Sequence, residues 1–105
     1  MIRVVKKNGI PIIEIKGDLR DKQSFELNQK IKKVQEKYQG TIVLDLCGVG
    51  FMDSSALGIL AFTCKTLDIN NQTIVLMNPT EIVKKLLEET NLTKILRVIE
   101  TFEEL

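Results

Sequence analysis

The segment Asp53-Ser54-Ser55-Ala56-Leu57-Gly58 sets a carboxylate and two hydroxyls directly ahead of an apolar helical stripe. Such a group can serve as a nucleophile or as a helix cap. The first role is tested by what surrounds it. The chain contains no histidine, which removes the Ser-His-Asp triad, phosphohistidine relays and the common metal motifs. Ser54 follows Gly50-Phe51-Met52-Asp53 and so is not in a G-x-S-x-G elbow. Neither G-x-x-x-x-G-K-[ST] nor G-x-G-x-x-G occurs, and Gly48-Val49-Gly50 is too short to cradle a phosphate by itself. Cys47 and Cys64 each sit in an apolar run and are expected as small buried core residues. Two cysteines without histidine do not make an ordinary zinc site. No enzymatic activity, cofactor or metal is expected.

Two readings of Asp53-Ser54-Ser55 stay open on spacing alone. One is a cap, in which an Asp or Ser oxygen accepts from the free N–H groups of the first helical turn. The other is a reactive hydroxyl after the carboxyl end of a strand, where α/β folds present ligands.

The elements that must position this segment follow from apolar periodicity. Asn8-Gly9 is a two-residue hairpin signal between the runs Met1–Lys6 and Ile10–Ile15. Ile13 and Ile15 share a strand face, and Pro11 belongs near a strand start or an edge. Leu27, Ile31, Val34 and Tyr38 form one stripe of a helix over Asp21–Tyr38, with Lys30, Lys32 and Lys33 on its solvated back and Gly40 as its stop. Thr41–Cys47 is a nearly continuous apolar strand, suited to burial on both faces. A helix over Asp53–Leu67 carries Leu57, Leu60, Ala61, Cys64 and Leu67 inward. Ile59 and Phe62 lie off that stripe and, with Phe51 and Met52, form a second apolar patch beside the cap. Thr73–Met77 is a fourth strand. Asn78 is expected as N-cap and Pro79 as first residue of a third helix, with Glu81 completing a capping box and Ile82, Val83, Leu86 and Leu87 inward. Ile95 to Ile99 suggests a short returning strand or turn, and Thr101–Leu105 a frayed end. The order β-β-α-β-α-β-α predicts an α/β domain over residues 1–105, with helices packed on a sheet.

Net charge is +1 and aromatics are 5%, so neither a basic stripe nor stacking platforms point to nucleic acid. No run reaches the ~18–20 apolar residues of a membrane span, and no signal peptide is expected. A reducing cytoplasm is the expected location.

The residues Ile42-Val43-Leu44-Asp45-Leu46 followed by Phe51-Met52-Asp53-Ser54-Ser55-Ala56-Leu57-Gly58, with Gly17 after the second strand and Asn78-Pro79 after the fourth, resemble the STAS domain family over essentially the whole chain. The likeness is strongest to free-standing anti-sigma-factor antagonists of bacteria. It implies a central mixed sheet of four or five strands with helices mainly on one face. It also implies a switch. The unmodified antagonist sequesters an anti-sigma factor that is itself a serine kinase, and so frees a sigma factor. The kinase phosphorylates the first serine after the aspartate, and a metal-dependent serine phosphatase reverses this. On this chain the resemblance implies Ser54 as phosphoacceptor, Asp53 as its orienting carboxylate and Ser55 as support for the loop or cap. Met52, Ile59, Phe62, Arg20 and Asp21 are the expected partner-binding residues. Two positions depart from the family: Ala56 where Gly is common, and Arg20, with Asp21 next, where an aspartate is frequent. A STAS domain also occurs as a stressosome-type scaffold or transporter accessory subunit, in which Ser54 would be a cap only. A nucleotide binder using the Gly48–Ser55 loop is a further alternative.

Overall fold

A computed structural model describes residues 1–105. Asn8 and Gly9 both adopt positive φ, 52° and 78°, the pair of left-handed residues a two-residue hairpin needs. They join β1 (Ile2–Lys7) to β2 (Ile10–Lys16), with Lys7 opposite Ile10. Then follow α1 (Asp21–Lys37), β3 (Thr41–Gly48), α2 (Ser54–Ile69), β4 (Thr73–Met77), α3 (Glu81–Glu89) and β5 (Arg97–Ile99). The five strands form one mixed sheet in the order β1-β2-β3-β4-β5. β1 is antiparallel to β2; the other neighbours are parallel.

Strand alternation divides the core in two. Ile13, Ile15, Ile42, Leu44, Leu46, Ile74 and Leu76 face all three helices and meet Leu27, Ile31 and Val34 of α1, Ala56, Leu60 and Leu67 of α2, and Val83 and Leu87 of α3. Ile12, Val43, Val75 and Ile99 point to the opposite face and are also buried. The expected double burial of the third strand is thus present, and helices occupy one face as expected.

Several details differ from the sequence expectation. Thr101–Leu105 is not frayed. Phe102–Glu104 forms a 3-10 turn closed by a Thr101/Glu104 capping box, and Phe102 packs on the sheet face opposite the helices. It shares that role with Val5, Ile10 and Met77, which pack on the same four β-branched side chains. The third helix begins two residues later than expected. Its N-cap is Thr80, whose Oγ1 accepts from Val83 N, and Glu81 is its first residue. Asn78 instead takes a left-handed φ of 52° and donates its N–H to Ile99 O at 2.7 Å, bracing β5. Cys47 is exposed, because the alternation that buries Leu46 turns its neighbour to the less covered face near the strand end. Cys64 is half-buried against the core. A hydrogen bond with Asp45 raises the Cys47 thiol above its ordinary value, and burial raises Cys64. Both are therefore poor thiolates. No helix is long and apolar enough to cross a membrane.

Candidate functional site

The carboxyl ends of β2, β3 and β4 lie at one end of the sheet, and each leads directly to the start of a helix. The loops there are stitched together rather than free. Gly17 N donates to Gly48 O at 2.9 Å, Leu19 N to Phe51 O at 2.9 Å, and Asp53 N to Leu19 O at 3.0 Å. Leu19 and Met52 form a parallel bridge that prolongs the β2–β3 pairing. Thr80 Oγ1 donates to Val49 O at 2.9 Å, tying in the third loop. The two loop glycines answer to close packing. A Cβ on Gly48 would lie 2.8 Å from the Ile15 carbonyl oxygen, and one on Gly50 3.1 Å from an Asp18 carboxylate oxygen. This accounts for the loop glycines without invoking a phosphate cradle.

Asp53 is the hub of this stitching. It is the N-cap of α2, and its Oδ1 accepts from Ala56 N at 2.9 Å and from Ser55 Oγ at 2.6 Å. Its Oδ2 accepts from Asp21 N at 3.1 Å. Asp21 has φ of 43°, a left-handed conformation uncommon for a residue with a Cβ. The Asp53 carboxylate therefore holds the first residue of α1 in a strained position while capping α2. The expected orientation of Ser54 by Asp53 is not what the geometry gives. The carboxylate is occupied by Ser55, Ala56 and Asp21, and the Ser54 hydroxyl makes no hydrogen bond within the protein. Ser54 is the exposed first residue of α2.

These contacts, the Ser55 hydroxyl foremost and then the Ala56 amide, hold the Asp53 carboxyl down at about 2. A free aspartate titrates near ~4. The folded value is the lower one, so the charged form contributes stability that is complete above about pH 5. That contribution is lost as pH falls from about 4 towards 2. Asp53→Asn should flatten the acid limb of a plot of urea midpoint against pH in that window. The change is expected to be modest, because the site is open to solvent. An unchanged acid limb would mean the carboxylate is not the hub.

The other expected residues separate into core and surface. Met52 is 1% exposed and belongs to the core cluster. Its bridge with Leu19 turns it inward, which corrects the expectation that it contacts a partner. Ile59 is half-buried, whereas Phe62 is 67% exposed. Arg20 donates from Nε to Asp18 Oδ2 at 3.3 Å, and its guanidinium lies 4.4 Å from the centre of the Phe51 ring. Asp21 is exposed at its side chain. Two residues absent from the sequence reading matter here. Asp18 lies against Gly50 and pairs with Arg20. Phe25, on the outer side of α1, is 60% exposed. Its position off the Leu27–Ile31–Val34 stripe was a legible signal. No group of three or more His, Cys, Asp or Glu side chains is placed to hold a metal.

Comparison with known proteins follows this geometry. A model of the STAS domain matches residues 1–105. The fold is similar to that of an anti-sigma factor antagonist from Mycobacterium paratuberculosis, at 22% identity and a TM-score of 0.88, covering 99% of this chain and 88% of that one. It is also similar to the Bacillus cell fate determinant SpoIIAA in its phosphorylated form, at 21% identity and a TM-score of 0.74, covering 99% and 95%. A sulfate transporter family protein from Wolinella succinogenes is similar at 17% identity and a TM-score of 0.75, covering 94% and 83%. At these identities the likeness establishes the fold.

Proposed function

Because the chain belongs to the STAS domain family, we propose that it is an anti-sigma-factor antagonist whose binding is switched by phosphorylation of Ser54. The observation that carries this reading is the state of the Ser54 hydroxyl. It is exposed and without a hydrogen bond, on a backbone whose neighbours are all tied down. Capping is done by Asp53, so the serine is left over from the structural work at this corner. An acceptor that need not break a bond, held on a rigid platform, suits an incoming phosphoryl group.

The partner is an anti-sigma factor that is also a serine kinase. In its active site Ser54 Oγ attacks the γ-phosphorus of ATP. The Oγ–P bond forms, the bond from that phosphorus to the β,γ-bridging oxygen breaks, ADP leaves, and the hydroxyl proton passes to a base of the kinase. A metal-dependent serine phosphatase returns Ser54 by hydrolysis. The unmodified form docks through the exposed side of α2, with Phe62 and the uncovered part of Ile59 beside Ser54. The chain itself carries out no catalysis and works in the cytoplasm. Support for the antagonist role comes from the anti-sigma factor antagonist fold it resembles, and support for modification from its likeness to a protein with a phosphorylated form.

The likeness to a sulfate transporter family protein favours one alternative, a module in which Ser54 is not modified. Incubation with a cognate anti-sigma kinase and ATP, followed by mass-spectrometric mapping, separates the two. Phosphate on Ser54 is the expected result. Phosphate on another residue, or none, overturns the switch.

A further inference from the structure

The three loops at the switch end, residues 17–21, 48–55 and 78–80, contain one cation, Arg20, against the carboxylates of Asp18, Asp21 and Asp53. Its setting is specific. The guanidinium is stacked 4.4 Å from the centre of the Phe51 ring. Only Nε is engaged, to Asp18 Oδ2 at 3.3 Å. The two terminal nitrogens, which form the fork that grips a phosphate through paired bonds, have no partner in the protein.

Arg20 is also alongside the serine. The N–H of Asp53 reaches Leu19 O, and the N–H of Asp21 reaches the Asp53 side chain, so residue 20 lies level with residue 53. Paired strands are about 4.8 Å apart and successive Cα atoms about 3.8 Å. The Cα of Ser54 is then roughly 6–8 Å from that of Arg20, a span an extended arginine covers.

We propose that Arg20 is the intramolecular ligand of the phosphate on Ser54, swinging or leaning from its place between Phe51 and Asp18 to offer its free fork to the dianion. This deepens the switch reading and rests on it. A dianion with three acceptor oxygens competes well against the single long contact to Asp18. Asp53 and Asp21 cannot take its place, since both repel a phosphate. Arg20 has two consequences for the switch. It holds the phosphate as a dianion near neutral pH, and it withdraws a cation that the unmodified form presents at its docking surface. Arg20 thus acts as a positioning residue for the modified state.

The test uses the full chain with phosphoserine installed at position 54 during translation, so that no kinase is needed. Titration followed by phosphorus NMR reads the second ionisation of the phosphate, which for an unperturbed phosphoserine lies near ~6. Arg20→Ala is expected to raise it by about half a unit relative to the unsubstituted protein. Arg20→Lys, which keeps the charge and loses the fork, should fall between them. Asp18→Asn, which frees Arg20, should lower it further. Identical titrations for the unsubstituted and Arg20→Ala proteins would overturn the proposal. A kinase that marks another residue would overturn the switch reading instead and leave this measurement standing.

Discussion

Phosphoserine at position 54 is expected to weaken binding of the anti-sigma kinase by about a thousandfold while leaving the melting temperature unchanged or slightly raised. Two physical estimates separate the effects. Within the protein the new charge of about −1.5 to −2 sits at the N-terminus of α2, where an anion gains roughly 0.3–1 kcal/mol. Nothing in the core is touched, because Ser54 is exposed and its hydroxyl bonds to nothing that would be lost. In a complex, the same dianion pressed against a surface without matching cations loses solvation on the order of several kcal/mol. About 4 kcal/mol is already a thousandfold in affinity. No large conformational change is needed. Ser54→Asp should act in the same direction more weakly, since it carries one charge and two oxygens. Calorimetric binding and a thermal melt on the same preparation check both halves. A melt that collapses on modification would contradict a purely interfacial mechanism. Binding that survives it would remove the switch.

The second large effect separates a core residue from a surface one that the sequence placed together. Met52→Ala is expected to cost about 2–5 kcal/mol of stability, as for other large-to-small core changes. In a domain of this size that lowers the melting temperature by about 10 °C or more. The reason is its 1% exposure within the cluster joining α1, α2 and the sheet. Phe62→Ala should leave stability within about 0.5 kcal/mol, since the ring is 67% exposed. It should weaken partner binding about tenfold or more if the ring is an interfacial anchor. A Met52→Ala protein that melts normally would mean the Met52 side chain does not contribute to the core. A Phe62→Ala protein with full affinity would remove the outer side of α2 as the docking surface.

Much of the site could be read in the residues themselves. Ser54 stands at the head of an apolar stripe after a strand. A period of 3.6 over Leu57, Leu60 and Leu67 is enough to start a helix there, and a missing histidine is enough to turn attention away from catalysis, while modification of Ser54 is what the family resemblance implies. Asn8-Gly9 dictated its own hairpin, because few residue pairs accept two successive positive φ values. The alternation in Ile12-Ile13-Glu14-Ile15 assigned each side chain to a face. These are local properties, set by sterics and by periodicity within one element.

What the tertiary structure decided are contacts between residues far apart in the chain. Helical periodicity puts Phe62 off the inward stripe of α2, but it could not say which way Met52 turns in the loop before the helix. The Leu19–Met52 bridge, which spans more than thirty positions, sends it inward. Asp53 looks like the partner of the serine beside it. Its carboxylate instead spends one oxygen on the amide of Asp21, across a loop pairing that no periodicity encodes. Thr101–Leu105 looked frayed because its apolar content is low. It is held by its capping box and by Phe102, which packs on a sheet face whose apolar side chains come from four strands. Arg20 is the sharpest case. Its residue type was visible, but its free fork, its stacking on Phe51 and its place level with Asp53 exist only once two loops are zipped together.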